Sequence, residues 1–265
     1  MVREELVVRL NDREYKNWLK AGRCLLILKD GLHPFITQHA RAFHGDLLNQ
    51  NSLLRKPCET ALCKPRGNQL SSACRACAQW QAVILRHRRQ PEATLNWDNC
   101  SPPNWRTDHW ELAKVIRFRN ELMHSCELRV EDEWMRHYQT SVRKLVRQLG
   151  HIPHMATAGK QIEEMLSVDL SICVSGLDRM DSAALEEVES DSVSQWETSA
   201  DLISQWEAEL LQERLQELLQ AADDDAKTQD TQQLKRLGGF LQANRDLGER
   251  FSLELKAINQ LEARG

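Results

Sequence analysis

The sequence lacks a long uninterrupted apolar run, both at its amino end and further along the chain. The opening stretch MVREELVVRLNDREY places charged residues where the apolar region of a signal peptide has to lie. No later run approaches the roughly 20 apolar residues that a membrane-spanning helix needs. These absences argue against secretion and against a membrane span, so we expect a soluble intracellular protein, in the cytoplasm or the nucleus.

Histidine is missing from residues 155 to 265. All nine histidines lie between His33 and His154, so chemistry that needs an imidazole is expected in residues 1 to 154. The charge divides at the same place: residues 1 to 154 carry 25 Lys and Arg against 16 Asp and Glu, and residues 155 to 265 carry 10 against 23. This split favours an anionic partner for the basic front, with the acidic back as a solvated or competing segment.

The chain has no visible internal repeat, and its apolar residues recur mostly at helical spacing. A first helix is predicted from a cap at Asn11 or Asp12 to Gly31, and Pro34 is expected to open a second one. Further helices are predicted to begin near residues 74, 108 and 131. The pattern is typical of an all-α helical bundle.

Composition divides the chain into three parts. Residues 1 to 154 are predicted to form a helical domain, interrupted at about 50 to 106 by an insert with turn-forming residues. Residues 155 to 200 are assigned to an acidic linker, which begins with a short helical piece around Ile162 to Leu166 and has linker composition from residue 167 onward. Residues 201 to 265 carry two leucine-rich stripes, which predict a helical hairpin or a coiled coil and favour a homodimer or a partner helix, although Gly238 and Gly239 weaken the second helix.

Half of the eight cysteines form two close pairs within the insert: Cys58 with Cys63, and Cys74 with Cys77. In a reducing compartment, such cysteines are metal ligands more often than disulfides. Four thiolates would hold zinc tetrahedrally and leave no open position, so the spacing predicts a structural zinc site rather than a catalytic one. Scattered free thiols are the alternative, and Cys100 or His87 could replace one of the four ligands.

A second candidate site lies in the stretch RFRNELMHS, residues 117 to 125. On a helix Asn120 and His124 share a face, and Arg119 lies about 100° from Asn120 and can reach the same pocket. A histidine that titrates near neutrality can move a proton, and an adjacent arginine can hold a phosphate. This pairing suits RNA cleavage without a metal ion, with the 2′-hydroxyl as the nucleophile, whereas a solvated helix face is the alternative explanation.

The pattern of Arg119, Asn120 and His124 late on a helix resembles the signature of the HEPN superfamily, many of whose members are dimeric, metal-independent endoribonucleases. Together with EYKNWLKAGRCLLILKDGLHPFI, the cysteine insert and CAQWQAVILRH, it is also similar to a vertebrate family typified by the product of an open reading frame on the human X chromosome. The resemblance implies an HEPN-like bundle in which Arg119 contacts phosphate, Asn120 orients the pair and His124 is the general acid and base.

The resemblance also implies that one segment is missing here. Relatives have an additional helix between the parts matching WELAK and VIRFRNE, whereas Lys114 runs directly into Val115 in this chain. The loss of a helix is expected to leave apolar surface open, or to bring another element over it.

Two functions from different classes follow from these patterns. The first is RNA binding, with or without cleavage by Arg119 and His124, in which the basic residues Arg86, Arg88, Arg89 and Arg117 contact the RNA backbone. The basic cluster is otherwise the polar end of a helix. The second function is that of a non-enzymatic interaction protein, in which the zinc site is structural and the tail helices recruit partners.

Overall fold

The computed structural model describes residues 2–60, 63, 65–66, 69–70, 74–88, 100, 110–125, 127–170, 200–225 and 228–262. The chain folds into ten described helices: α1 (Val2–Leu10), α2 (Arg13–Gln50), α3 (Arg75–His87), α4 (Trp110–His124), α5 (Asp132–Gln148), α6 (Pro153–Ser167), α7 (Ala200–Asp225), α8 (Thr228–Ala243), α9 (Arg245–Arg250) and α10 (Ser252–Glu262). A 3-10 turn (Ser52–Arg55) and two paired two-residue strands, β1 (Pro65–Arg66) and β2 (Gln69–Leu70), lie between α2 and α3. The predicted all-α class is therefore confirmed.

Helix α2 is the central helix of the fold, and it is longer than the helix that the sequence predicted. It begins after Asp12, whose carboxylate accepts hydrogen bonds from the N–H groups of Glu14 and Tyr15. It then continues through Gly31 and Pro34 to Gln50, so the predicted break at Gly31 is wrong. The reason is tertiary, because Gly31 is buried at a close contact with α6, where packing outweighs the low helix propensity of glycine.

One apolar core lies along the first half of α2. Helices α4, α5, α6 and α7 pack against α2, and Trp18, Leu19, Tyr138 and Met155 are buried there. Helix α6 occupies residues that the sequence assigned to the start of the acidic linker. The short helical piece that was predicted around Ile162 to Leu166 lies within this longer helix, and Met155, Ile162 and Met165 lie in the core. Residues 171 to 199 lie outside the described part of the chain.

The carboxy-terminal helices join the same core. Helix α7 packs on α2, and Leu210 of α7 lies against the backbone of Gly22. Helix α8 packs against α7, as expected for two successive helices of a hairpin. The second stripe is divided into three helices by Asn244 and Phe251 rather than weakened at Gly238 and Gly239, which lie inside α8.

The second half of α2, the 3-10 turn, the cysteine loop and α3 form a further unit, which we call the arm (described residues within 32–88). In the part of α2 from residue 32 to residue 50, Leu47 is the one residue that is fully buried. Helix α3 folds back on α2, with the ring of Trp80 stacked on His44 at 5.4 Å and its indole N–H donating to the carbonyl of Leu54. The arm therefore carries the cysteines at the carboxyl end of α2.

Among the described helices, none has the length and apolar composition needed to cross a membrane.

Candidate functional site

The four cysteines of the insert come together at the start of α3. Cys58 follows the 3-10 turn, Cys74 is the residue that precedes α3, and Cys77 lies one turn into the helix. The sulfur atoms of Cys58, Cys63, Cys74 and Cys77 all lie within 4.8 Å of one another, so the four residues can bind a metal ion. The paired spacing that predicted this cluster is thereby confirmed as a spatial arrangement.

The protonation of these thiols is uneven, as expected for a compact thiol cluster. Backbone N–H groups of Glu59 and then Cys77 stabilise the thiolate of Cys74 and lower its pKa to about 6. Burial and hydrogen bonds to the neighbouring thiols raise the pKa of Cys77 to about 12. The thiolate of Cys74 is therefore favoured near neutral pH, and a bound cation would stabilise thiolates further.

The two alternative ligands do not join the cluster of described residues. Cys100 lies opposite Arg88 in an isolated backbone bridge, and the ring of His87 meets the edge of Phe43 at 5.1 Å. Cys24 is fully buried in the bundle, where burial raises the pKa of its thiol to about 12, so it behaves as an inert core residue.

Arg119 and His124 of α4 both contact the carboxy-terminal helices. Arg119 donates two hydrogen bonds to the carboxylate of Glu217 on α7, Nη1 to Oε1 at 2.8 Å and Nη2 to Oε2 at 2.7 Å. About a third of each side chain is exposed. Asn120 is exposed and accepts a longer contact of 3.4 Å from the same arginine. The donors of Arg119 are thus directed at an internal anion.

His124 ends α4 and is exposed. Its Nδ1 lies 3.3 Å from Oε1 of Gln233, a buried residue of α8. The described contacts therefore direct Arg119 to α7 and His124 to α8. Arg117 is exposed on the same helix, Asp108 and Arg89 lie outside the described residues, and Arg88 is half-buried beyond the end of α3.

The positive charge of the front half is concentrated in the arm. Residues 31 to 90 contain nine Lys and Arg and only two acidic residues, Asp46 and Glu59. The exposed cations of the arm are Arg41, Arg55, Lys56, Arg75 and Arg86. Residues 31 to 90 thus carry seven of the nine surplus positive charges of residues 1 to 154, and only Arg86, Arg88 and Arg89 among these cations were singled out from the sequence.

Two polar contacts of the tail were not predicted. Glu207 of α7 is fully buried and accepts hydrogen bonds from Arg9 and from the Tyr15 hydroxyl, and Glu217 holds Arg119. A signal for Glu207 was present, because it lies four residues after Ile203 and three before Leu210, inside the apolar stripe of α7. No local signal distinguishes Glu217.

Comparison with known proteins places the chain among relatives over nearly its whole length. The family described as "Domain of unknown function (DUF4559)" matches residues 9–117 and 114–264. A Mus musculus protein described as "Uncharacterized protein CXorf38 homolog" is 32% identical to this chain over an alignment of 306 residues, gaps included. The alignment covers 98% of this chain and 93% of the mouse protein. No solved structure matches the chain.

The two matched pieces meet at residues 114 to 117, next to the junction of Lys114 and Val115. The alignment with the mouse protein is longer than the 265 residues of this chain, so the relative has residues without a counterpart here. Both observations agree with the expectation that a segment present in relatives is missing at this junction. Helix α4 nevertheless runs without interruption across it.

Proposed function

The chain belongs to the DUF4559 family, and on that premise we propose that it binds RNA through the arm, without cleaving it. The observation that carries this proposal is the charge of the sequence that contains the arm, residues 31 to 90, in which nine Lys and Arg stand against two acidic residues. Such a local excess attracts the phosphate backbone irrespective of base sequence. We assign the helical bundle to the HEPN-like folds, since the motif from Arg119 to His124 lies at the end of a helix in an all-α domain.

The exposed side of α3 suits a nucleic-acid strand. Arg75 and Arg86 are eleven residues apart, so they lie within about 20° of one another around the helix and about 16 Å apart along it. Between them Ala78 and Ala82 are exposed. Small side chains flanked by two arginines leave room for a sugar-phosphate backbone to lie along the helix, with one phosphate near each guanidinium.

We propose that the four thiols of the arm bind a zinc ion. Zinc–sulfur bonds of about 2.3 Å place tetrahedral sulfur atoms about 3.8 Å apart, which is within the 4.8 Å that bounds the sulfur–sulfur distances here. Four protein ligands complete the coordination sphere, so the ion would fix the loop between α2 and α3 and would take no part in a reaction. Reduced thiols also suit the cytoplasm or the nucleus, where we place the protein.

Binding without cleavage fits the geometry of α4. The donors of Arg119 are directed at Glu217, and Nδ1 of His124 at Gln233, so a phosphate would have to displace a carboxylate before it met the arginine. The exposed cations of the arm belong to residues 32–88, whereas the contact between α4 and α7 is made by Arg119 and Glu217. The two sets of residues are therefore separate.

The experiment compares two double variants with the same loss of charge. Arg75→Gln/Arg86→Gln changes the arm, and Arg136→Gln/Lys144→Gln changes exposed cations of α5. Binding of labelled single-stranded RNA is followed by fluorescence anisotropy as salt is raised. The arm variant is expected to reduce the slope of log K against log salt by about 1.4, at about 0.7 for each lost phosphate contact, whereas the α5 variant should behave as the wild type.

A parallel incubation of the RNA in chelator, with wild type and with His124→Ala, tests for cleavage. We expect intact RNA in both. Cleavage by the wild type alone would overturn the non-cleaving part of the proposal, and equal salt slopes for the two double variants would overturn the assignment of the arm.

A further inference from the structure

The arm has little apolar core of its own. Among its described residues, from 32 to 88, the fully buried ones are Leu47, Leu54 and Ala76. Its other packing contacts are partly exposed, such as the stack of Trp80 on His44 at 5.4 Å. A segment with so little buried apolar surface needs a cross-link, such as a bound metal ion, to hold one conformation.

The four cysteines lie where the two sides of the arm meet. One side is the end of α2 with the 3-10 turn, which Cys58 follows, and the other side is α3, which Cys74 precedes. The described hydrogen bonds between the two sides include that of the Trp80 indole to the carbonyl of Leu54 at 3.2 Å. Four metal–sulfur bonds would hold the two sides together far more strongly than such a hydrogen bond, and they exist only while the metal is bound.

Exposed cations lie next to the cysteine cluster on both sides of the arm. Lys56 is two residues before Cys58, and Arg75 directly follows Cys74. Consecutive Cα atoms are about 3.8 Å apart, so the backbone of each cation lies within about 8 Å of the backbone of a cysteine. Because the four sulfur atoms all lie within 4.8 Å of one another, they limit the distance between Lys56 and Arg75. Without a metal ion, the mutual repulsion of the two cations favours their separation.

We propose that the binding of zinc to the four cysteines controls RNA binding by the arm. In the zinc-bound arm, Lys56 and Arg75 form one phosphate-binding surface, whereas in the zinc-free arm they separate and bind RNA weakly. This inference rests on the proposed binding of RNA by the arm and adds its regulation by zinc. The helical bundle has its own core, in which Trp18, Leu19 and Tyr138 are buried, so it should stay folded when zinc is removed.

The test uses the full chain and labelled oligouridylate, a single-stranded RNA without folded structure that a chelator could disturb. Fluorescence anisotropy measures the affinity in zinc chloride, in EDTA, and in EDTA followed by excess zinc chloride. At about 0.1 M salt each phosphate contact contributes about fivefold to the affinity, so EDTA should weaken binding by about fivefold to about 25-fold, and zinc should restore it. Cys77→Ser should bind weakly with or without zinc, whereas Cys100→Ser should respond as the wild type does.

Digestion with trypsin gives a second measurement, which does not involve RNA. The peptide bonds after Arg55 and Arg75 should be cut faster in EDTA than in zinc chloride, because a loosened arm exposes its backbone to the protease. Circular dichroism should show that the bundle remains folded in both solutions.

Equal RNA affinity in zinc chloride and in EDTA would overturn this inference and leave RNA binding by the arm intact. Stronger binding in EDTA would also overturn it, since the negative charge of four thiolates around zinc would then outweigh the arrangement of the cations. Equal rates of cleavage by trypsin in the two solutions would contradict the change in the arm. If the zinc-loaded protein does not bind RNA, or if the arm and α5 double variants give equal salt slopes, the proposed function itself fails and this inference fails with it.

Discussion

The guanidinium of Arg119 forms a bidentate ion pair with the carboxylate of Glu217, which lies 98 residues further along the chain. Each terminal nitrogen of Arg119 donates to one oxygen of the carboxylate. A phosphate group would use the same two donors. Glu217 therefore occupies the position in which the resemblance to HEPN nucleases would put a phosphate. The contact joins α4 to α7, so the acidic back half of the chain neutralises the motif of the basic front half.

Because both side chains are about one-third exposed, the pair should contribute little to stability. Arg119→Gln and Glu217→Gln are each expected to lower the free energy of unfolding by about 0.5 kcal/mol, with a coupling of similar size in a double-mutant cycle of urea denaturation. Neither substitution should weaken RNA binding. A clear loss of RNA affinity in Arg119→Gln alone would mean that the arginine leaves Glu217 to contact RNA.

The cysteine cluster predicts one zinc ion for each chain. Cys77→Ser removes a ligand, and we expect the purified variant to lose zinc in elemental analysis and to unfold at a lower temperature than the wild type. Cys100→Ser is the matched control, since Cys100 lies outside the cluster of described residues, and it should retain the metal. If Cys100→Ser lost zinc and Cys77→Ser retained it, Cys100 and not Cys77 would be the zinc ligand.

Features fixed by neighbouring residues could be predicted from the sequence. The Asp12 cap is local, and so is the stripe of α5, which the structure places at Asp132–Gln148. The cysteine pairs also predicted their own cluster, because a short spacing restricts where two sulfur atoms can lie. In each case the deciding interaction links residues within a few positions, or within one loop.

Features that depend on distant residues could not be predicted. Gly31 looked like a helix end, but α6 packs so closely there that the site needs a glycine within the helix. Only a short helical piece around Ile162 to Leu166 was predicted in α6, because its other buried residues, such as Met155 and Ala158, complete a core only against α2. Glu217 is one of many glutamates in α7, and nothing in its own neighbourhood marks it as the partner of Arg119.

The close approach of α2 and α6 gives a test based on two glycines of one helix. A Cβ atom at Gly31 would lie 2.7 Å from the Cβ of Ala158, whereas a Cβ at Gly45 would meet nothing within 4 Å. Gly45→Ala should stabilise the protein by about 0.5 to 1 kcal/mol, because alanine favours the helix. Gly31→Ala should destabilise it by about 1 kcal/mol or more, since overpacking exceeds that gain.

Urea denaturation of both variants measures the two changes under the same conditions. A stabilising effect of Gly31→Ala would show that α6 can move away from α2 at little cost, and the close contact would then not explain why α2 passes through Gly31.

A buried charge network links the two ends of the chain. Arg9 of α1 donates to Glu207 at 2.7 Å and to Asp246 at 2.8 and 2.9 Å, and each of the three side chains is at most 5% exposed. Burial alone would raise the pKa of Asp246, but the hydrogen bonds and the positive charge of Arg9 outweigh it and hold the pKa below its ordinary value. The carboxylate is therefore more acidic in the folded protein than in the unfolded chain.

The sign of the pH effect follows from this lowered pKa. The stabilisation by Asp246 is complete above the pKa of an unfolded aspartate, about 3.9, and is lost as the pH falls through the lower folded value. Asp246→Asn cannot titrate, so we expect it to be less stable than the wild type by about 2 kcal/mol at pH 7, with the difference shrinking below about pH 4. Urea denaturation between pH 7 and pH 3 measures this difference, with Asp30→Asn on the exposed surface of α2 as the control. A difference that stays constant over that range would show that Asp246 stabilises the fold through its shape and not through its charge.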